Sequence, residues 1–288
     1  MTTSPRLLSG DPAASLLSRT LDQVGELVSY LKADIGQLEC DHPGMDIAGG
    51  GNGLWLSCQE LIADANWLGQ AIESTGRAIG TDEPMVAASI FIQGYAYRVA
   101  TLAVACLMVG GVVPGSSPET MAVGLGRGRV SKVAYLEPTV FDLFDGDPPA
   151  DALKDPSTAD QALRLVLEQV VEKHLRALIA TTREQIRIGE RLLWGNVAAS
   201  VSTAFRTMEG CLGRWVVPLG LRFFELAPTD LQGLGSFLLI ESEDKTGWFW
   251  ERTNCCLFYQ IPGHAKCSDC SLMPADERRS AYEAGLSS

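Results

Sequence analysis

The stretch from Met85 to Val113 constrains this chain more than any other. It is almost wholly apolar, follows Thr81-Asp82-Glu83-Pro84, and reaches a pair of glycines at Gly110-Gly111. A Thr or Asp cap, an acid in the first turn and an early proline are helix-start signals. A helix apolar on every face must lie inside a protein or inside a bilayer. Gln93, Tyr95, Tyr97 and Arg98 sit in its middle, and an arginine at a bilayer centre costs about 2.5–3.5 kcal/mol on insertion scales. The expectation is therefore a buried helix of a soluble protein and no transmembrane segment.

The 288 residues suit one large domain or two closely packed ones. The pattern predicts two: residues 1–150, mainly helical with a short strand segment, and residues 151–288, helical with a hairpin and a cysteine motif. A net charge of −12 argues against nucleic acid as a partner, because phosphate binding needs surplus Lys and Arg. The start, MTTSPRLLSGDPAASLLSRT, lacks a basic segment followed by an apolar run, so a cytoplasmic location is expected.

Apolar residues at helical spacing predict a helix over 12–39 and another over 58–78. His42-Pro43-Gly44 and Ala48 to Gly53 separate them as a loop. Val130 to Phe144 is rich in β-branched and aromatic residues and predicts one or two strands. The segment from Asp145-Gly146-Asp147-Pro148-Pro149 through Pro156 marks the domain boundary, and 157–212 is strongly helical. Ser236 to Ser242 and Trp248 to Thr253 flank a short polar loop and predict a hairpin. The fold class is thus α+β, predominantly helical, with a small β region and a C-terminal hairpin.

Four cysteines, Cys40, Cys58, Cys106 and Cys211, are scattered and read as small buried hydrophobes. The other four crowd together as Cys255-Cys256, ten residues, then Cys267-Ser268-Asp269-Cys270. A tight cluster in a chain with no secretory signal reads as a metal site. Four thiolates suit tetrahedral zinc or a small iron–sulfur cluster by count. The adjacent pair does not supply the second C-x-x-C turn common in zinc ribbons. Its two sulfurs could serve one iron through a local kink, or one each. Arg252, Lys266, Arg278 and Arg279 are close in sequence; cations there would stabilise a reduced, more negative cluster.

The pattern Cys255-Cys256-x10-Cys267-x2-Cys270, within Arg252-Thr-Asn-Cys-Cys-Leu-Phe-Tyr, resembles the FhuF-type siderophore-iron reductases. Leu193-Trp194-Gly195-Asn196, and Tyr97-Arg98 followed by Val113-Pro114, extend the likeness over about 60–272 and look like the helical part shared with some siderophore synthetases. The resemblance implies a [2Fe–2S] cluster on Cys255, Cys256, Cys267 and Cys270. It also implies one-electron reduction of chelated Fe(III), release of Fe(II) and a ferric siderophore of hydroxamate type as substrate; it does not name the electron donor, for which a ferredoxin or a flavin protein is a candidate. Oxygen donors hold Fe(III) far better than Fe(II), so one electron makes the chelate labile. No catalytic acid, base or nucleophile is needed. A siderophore-binding module with a structural zinc knuckle is the rival reading.

Candidate substrate contacts are Arg98, Arg127, Arg129, Trp194, Asn196 and Arg252. Gly124-Leu125-Gly126-Arg127-Gly128-Arg129 superficially resembles a phosphate loop, but β-like residues follow it where a helix should, so a turn carrying two arginines is expected. Arg98, on an apolar helix, must be paired or face a cavity. His42, His174 and His264 share no chelating spacing.

Overall fold

The structure, a computed structural model, describes residues 5–36, 54–145, 151–241 and 245–287. Strand β1 (Arg6–Ser9) leads into α1 (Gly10–Leu27), and β2 is Ala33–Ile35. The helix expected over 12–39 therefore stops at Leu27. Val28 leaves helical geometry, and Ala33–Ile35 pairs in parallel with a strand formed a hundred residues later. Long-range pairing overrides the local periodicity there. The expected loop at 42–53, with Cys40 and His42, lies outside the described residues.

Next come β3 (Leu54–Ser57), α2 (Cys58–Ala63) and α3 (Ala65–Ile79). One helix was expected over 58–78, and Asp64 divides it. Its carboxylate accepts from the Asn66 N–H at 2.8 Å and caps a new helix instead of continuing the old one. The apolar stretch forms α4 (Pro84–Gly110), capped by Gly111 in the left-handed region. It is the one helix among the described residues long and apolar enough to cross a bilayer, and 72% of its most apolar window is buried inside the protein.

Strands β4 (Val112–Pro114), β5 (Met121–Gly126), β6 (Arg129–Tyr135) and β7 (Thr139–Asp142) follow. They complete two small sheets, in the orders β1-β7-β4 and β2-β6-β5-β3. Of the boundary expected over 145–156, residues 146–150 lie outside the described residues. Beyond it, α5 (Pro156–Val166) runs through a π-helical stretch at Leu167–Leu175 into α6 (Arg176–Gln185). Then come α7 (Glu190–Leu212), α8 (Val216–Leu226), β8 (Gly235–Glu241), β9 (Thr246–Arg252) and α9 (Ala275–Ser287). The architecture is α+β, mainly helical, with the expected C-terminal hairpin pairing Phe237 with Trp250.

One buried cluster draws side chains from Ala13 to Trp250. At its centre α4 packs along α7. Small residues let these helices approach, and polar ones register them: Asn196 and Ser200, one turn apart on α7, donate to the carbonyls of Ser89 and Gln93, one turn apart on α4. The hairpin sits on α8 through Trp250, stacked on Phe224 with centroids 4.5 Å apart. Helix α9 covers its other face, Tyr282 stacking on Phe249 at 4.8 Å.

Candidate metal centre

Strand β9 ends at Arg252, and the cysteines follow directly. After Cys255-Cys256 the chain turns at Leu257, whose φ of 67° is left-handed. This conformation is uncommon for a residue with a branched side chain. Packing of Leu257 against Val86 and Ile261 holds it there. The kink lets the Leu257 N–H donate to the Cys255 Sγ at 3.3 Å. Cys267 and Cys270 lie on one tight turn, closed by the Cys270 N–H on the Cys267 carbonyl at 3.0 Å.

The sulfurs fall into two pairs. Cys256 Sγ and Cys267 Sγ are 3.6 Å apart. Cys255 has Cys270 beside it, whose charge helps to raise the Cys255 thiol. Two thiolates on one tetrahedral metal, with metal–sulfur bonds near 2.3 Å, would lie about 3.8 Å apart. The first pair already has that spacing. Among the described residues no three His, Cys, Asp or Glu side chains converge as for a single ion. Cys267 donates its proton toward Cys256, which pulls the Cys256 thiol down to about 6 and holds Cys267 above the usual thiol range. Burial pushes Cys255 up to about 11, against the Leu257 N–H.

The loop is seated by residues of α4 and α7. Asn254 donates to the Leu192 carbonyl at 3.2 Å. It lies against Gly195, where any Cβ would meet its carboxamide at 2.0 Å. Asn196 is fully buried; its amide donates to Ser89, and its Oδ1 accepts from Arg252 Nη2 at 2.7 Å. Ser89 in turn donates to the Cys256 carbonyl at 2.6 Å.

The ferric iron reductase FhuF-like transporter family matches residues 89–234, half of the chain. The FhuF 2Fe-2S C-terminal domain matches residues 252–272, which contain all four clustered cysteines. The chain belongs to the FhuF family. Its cofactor is accordingly a [2Fe–2S] cluster, and the four-thiol donor set fits one. No curated protein matches the chain. Among solved structures, aerobactin synthetase IucC from Klebsiella pneumoniae is similar over 59% of this chain and 31% of its own length, at 16% identity and a TM-score of 0.42. The chain thus spans about a third of that protein.

Three of the expected substrate contacts are closed to solvent in this FhuF-type fold. Trp194 is 1% exposed, Asn196 0% and Arg252 2%. Trp194 is core, with Arg176 over its ring at 5.2 Å. Asn196 and Arg252 spend their hydrogen bonds on each other and on α4. The Leu192 carbonyl, Gly195 and Asn196 seat the cysteine loop. Arg98 is half-buried and donates to the Tyr30 carbonyl at 3.1 Å, fixing α4 to the chain beyond α1.

Arg127 and Arg129 remain exposed. Arg127 is the first residue of the two-residue turn joining β5 to β6 and Arg129 follows it, with φ 52° at Arg127 and 70° at Gly128. Positive φ at both central positions marks a tight hairpin turn, so the glycine-rich run is sheet and not a phosphate loop. Gly128 is required: a Cβ there would lie 2.3 Å from Ala78, and its carbonyl accepts from Thr75 at 2.8 Å. The turn thus closes on α3 over a cleft of about 300 Å³ lined by Thr75, Ile79, Ile90, Gly94, Arg127 and Arg129, among others. Ile79 and Ile90 also pack against the apolar patch of Leu257 and Ile261, so the cleft and the cysteine loop share a wall.

Sequence reasoning missed Ser89. A lone serine in an apolar helix gives no signal until α7 and the cysteine loop are placed beside it.

Proposed function

We propose that this chain is a ferric-siderophore reductase that passes single electrons to chelated Fe(III) and releases Fe(II) in the cytoplasm. The observation that carries the reading is the two-pair arrangement of four thiols, within the matched [2Fe–2S] region, on a loop sharing a wall with an arginine-lined cleft. Cys255, Cys256, Cys267 and Cys270 would hold the cluster. When bound, the cluster supplies one electron at a time.

The residues around it do the rest. Leu257 holds the kink that separates the adjacent cysteines. Ser89, Asn196 and Asn254 fix the loop on α4 and α7, so its geometry changes little with charge. Arg127 and Arg129, having no carboxylate partner among the described residues, offer guanidinium forks to anionic oxygen donors of a chelate. The substrate is a hydroxamate-type ferric siderophore. A ferredoxin or flavin protein supplies the electron.

Cys255→Ser and Cys267→Ser tests the reading. Both are expected to lose cluster colour and ferric-chelate reduction together. Full reduction by either variant, or zinc without acid-labile sulfide in anaerobically purified protein, would overturn it.

A further inference from the structure

Four cations lie near the cysteine loop in sequence, and the structure separates their roles. Arg278 pairs with Glu251 at 3.0 Å, and Arg279 with Glu283 at 3.0 Å. Lys266 reaches the Leu272 carbonyl at 3.0 Å and is exposed. Only Arg252 is buried, and it has no carboxylate partner among the described residues. Its one side-chain partner is the neutral Asn196, and its Nε is buried with none at all. A bare guanidinium in the interior is costly unless a negative charge compensates it. Its surroundings offer the thiols: through Asn196 and Ser89 it is three hydrogen bonds from the Cys256 carbonyl.

We infer that Arg252 is the buried counter-charge of the iron–sulfur site and that it raises the site's reduction potential. The inference rests on the reading that Cys255, Cys256, Cys267 and Cys270 hold the cluster. A site of four thiolates is negative, and reduction adds a further negative charge. A fixed cation beside it stabilises the reduced form more than the oxidised one. Burial strengthens the effect, since water and salt screen it little. Asp269, on the cysteine loop itself, opposes it but is half-exposed and so more screened. Asn196 has a second task in this account. It orients the guanidinium without neutralising it, which a carboxylate at the same position would not do.

The test is the midpoint potential, followed by visible and electron paramagnetic resonance spectra during an anaerobic redox titration of the cluster-loaded protein. Three variants are compared with the parent. Arg252→Met removes the charge. Asn196→Asp leaves Arg252 in place but pairs it. Arg252→Lys keeps a cation. We expect the first two to shift the reduced-to-oxidised ratio at fixed potential by about tenfold or more toward oxidised, about 59 mV more negative. Arg252→Lys should stay within a fraction of that.

Loaded Arg252→Met or Asn196→Asp protein with the parent's potential would overturn the inference. So would failure of all three variants to load, which would make Arg252 a packing residue. If both neutralised variants fail to load while Arg252→Lys loads, the requirement for charge stands. Parent protein lacking iron and sulfide would overturn the ligand reading instead, which keeps the two failures distinct.

Discussion

Gly195 on α7 faces the carboxamide of Asn254 so closely that a Cβ would come within 2.0 Å of it. Asn254 immediately precedes Cys255, so the smallest residue of one motif is the socket for the other. Gly195→Ala is expected to unseat the cysteine loop, with a stability loss of about 1–3 kcal/mol from overpacking and reduced iron content. Adding Asn254→Ala should restore iron content by emptying the contested space. Thermal unfolding and iron analysis of the single and double variants check this; a double variant no better than Gly195→Ala would contradict it.

The spacing of Cys256 and Cys267, 3.6 Å between sulfurs, makes them the first pair to bond when the metal is absent. Mild oxidation of cluster-free protein should give a Cys256–Cys267 disulfide, identified by mass mapping of peptides. A predominant Cys255–Cys256 link would show that the loop does not hold the two pairs apart.

His174 lies fully buried between the Tyr95 hydroxyl and the Ser116 carbonyl, each at 2.7 Å. Burial holds its pKa down to about 4, below the ordinary 6.5. The unfolded chain therefore takes a proton below pH 6.5 that the folded protein refuses until about pH 4. Stability should fall as pH drops through that window, by at most about 3 kcal/mol, and His174 should add no pH dependence above it. Urea unfolding of the parent and of His174→Gln from pH 7 to 4 tests this: the gap between the curves should change with pH. Parallel curves would contradict it.

Arg127→Ala with Arg129→Ala should weaken use of anionic ferric chelates about tenfold in KM, the loss of roughly one charge-assisted contact. Iron content should stay at the parent level, because neither residue reaches the cysteine loop. An unchanged KM for a ferric hydroxamate would place the recognition elsewhere.

The parts of the fold legible in the sequence are the local ones. The buried helix announced itself by its apolar run, and the C-terminal hairpin by two strand-like runs around a polar loop. The four cysteines lie within sixteen positions, and the region matched by the 2Fe-2S domain, 252–272, contains them all. What was not legible depends on distant partners. Asn196 meets Ser89 across 107 residues and Arg252 across 56, and no local pattern reports that. Their polarity suggested contact with a substrate, whereas they hold the loop. The early end of α1 failed for the same reason, since Ala33–Ile35 is a strand only because β6 receives it.

The central claim is that reducing equivalents stored in this protein reach chelated iron. The direct measurement is the visible spectrum of anaerobically reduced protein on addition of a ferric hydroxamate, with Fe(II) trapped and counted. The account predicts rapid return to the oxidised spectrum and about one Fe(II) per cluster, with no Fe(II) from Cys267→Ser. A reduced spectrum that stays unchanged in the presence of excess ferric hydroxamate would contradict it.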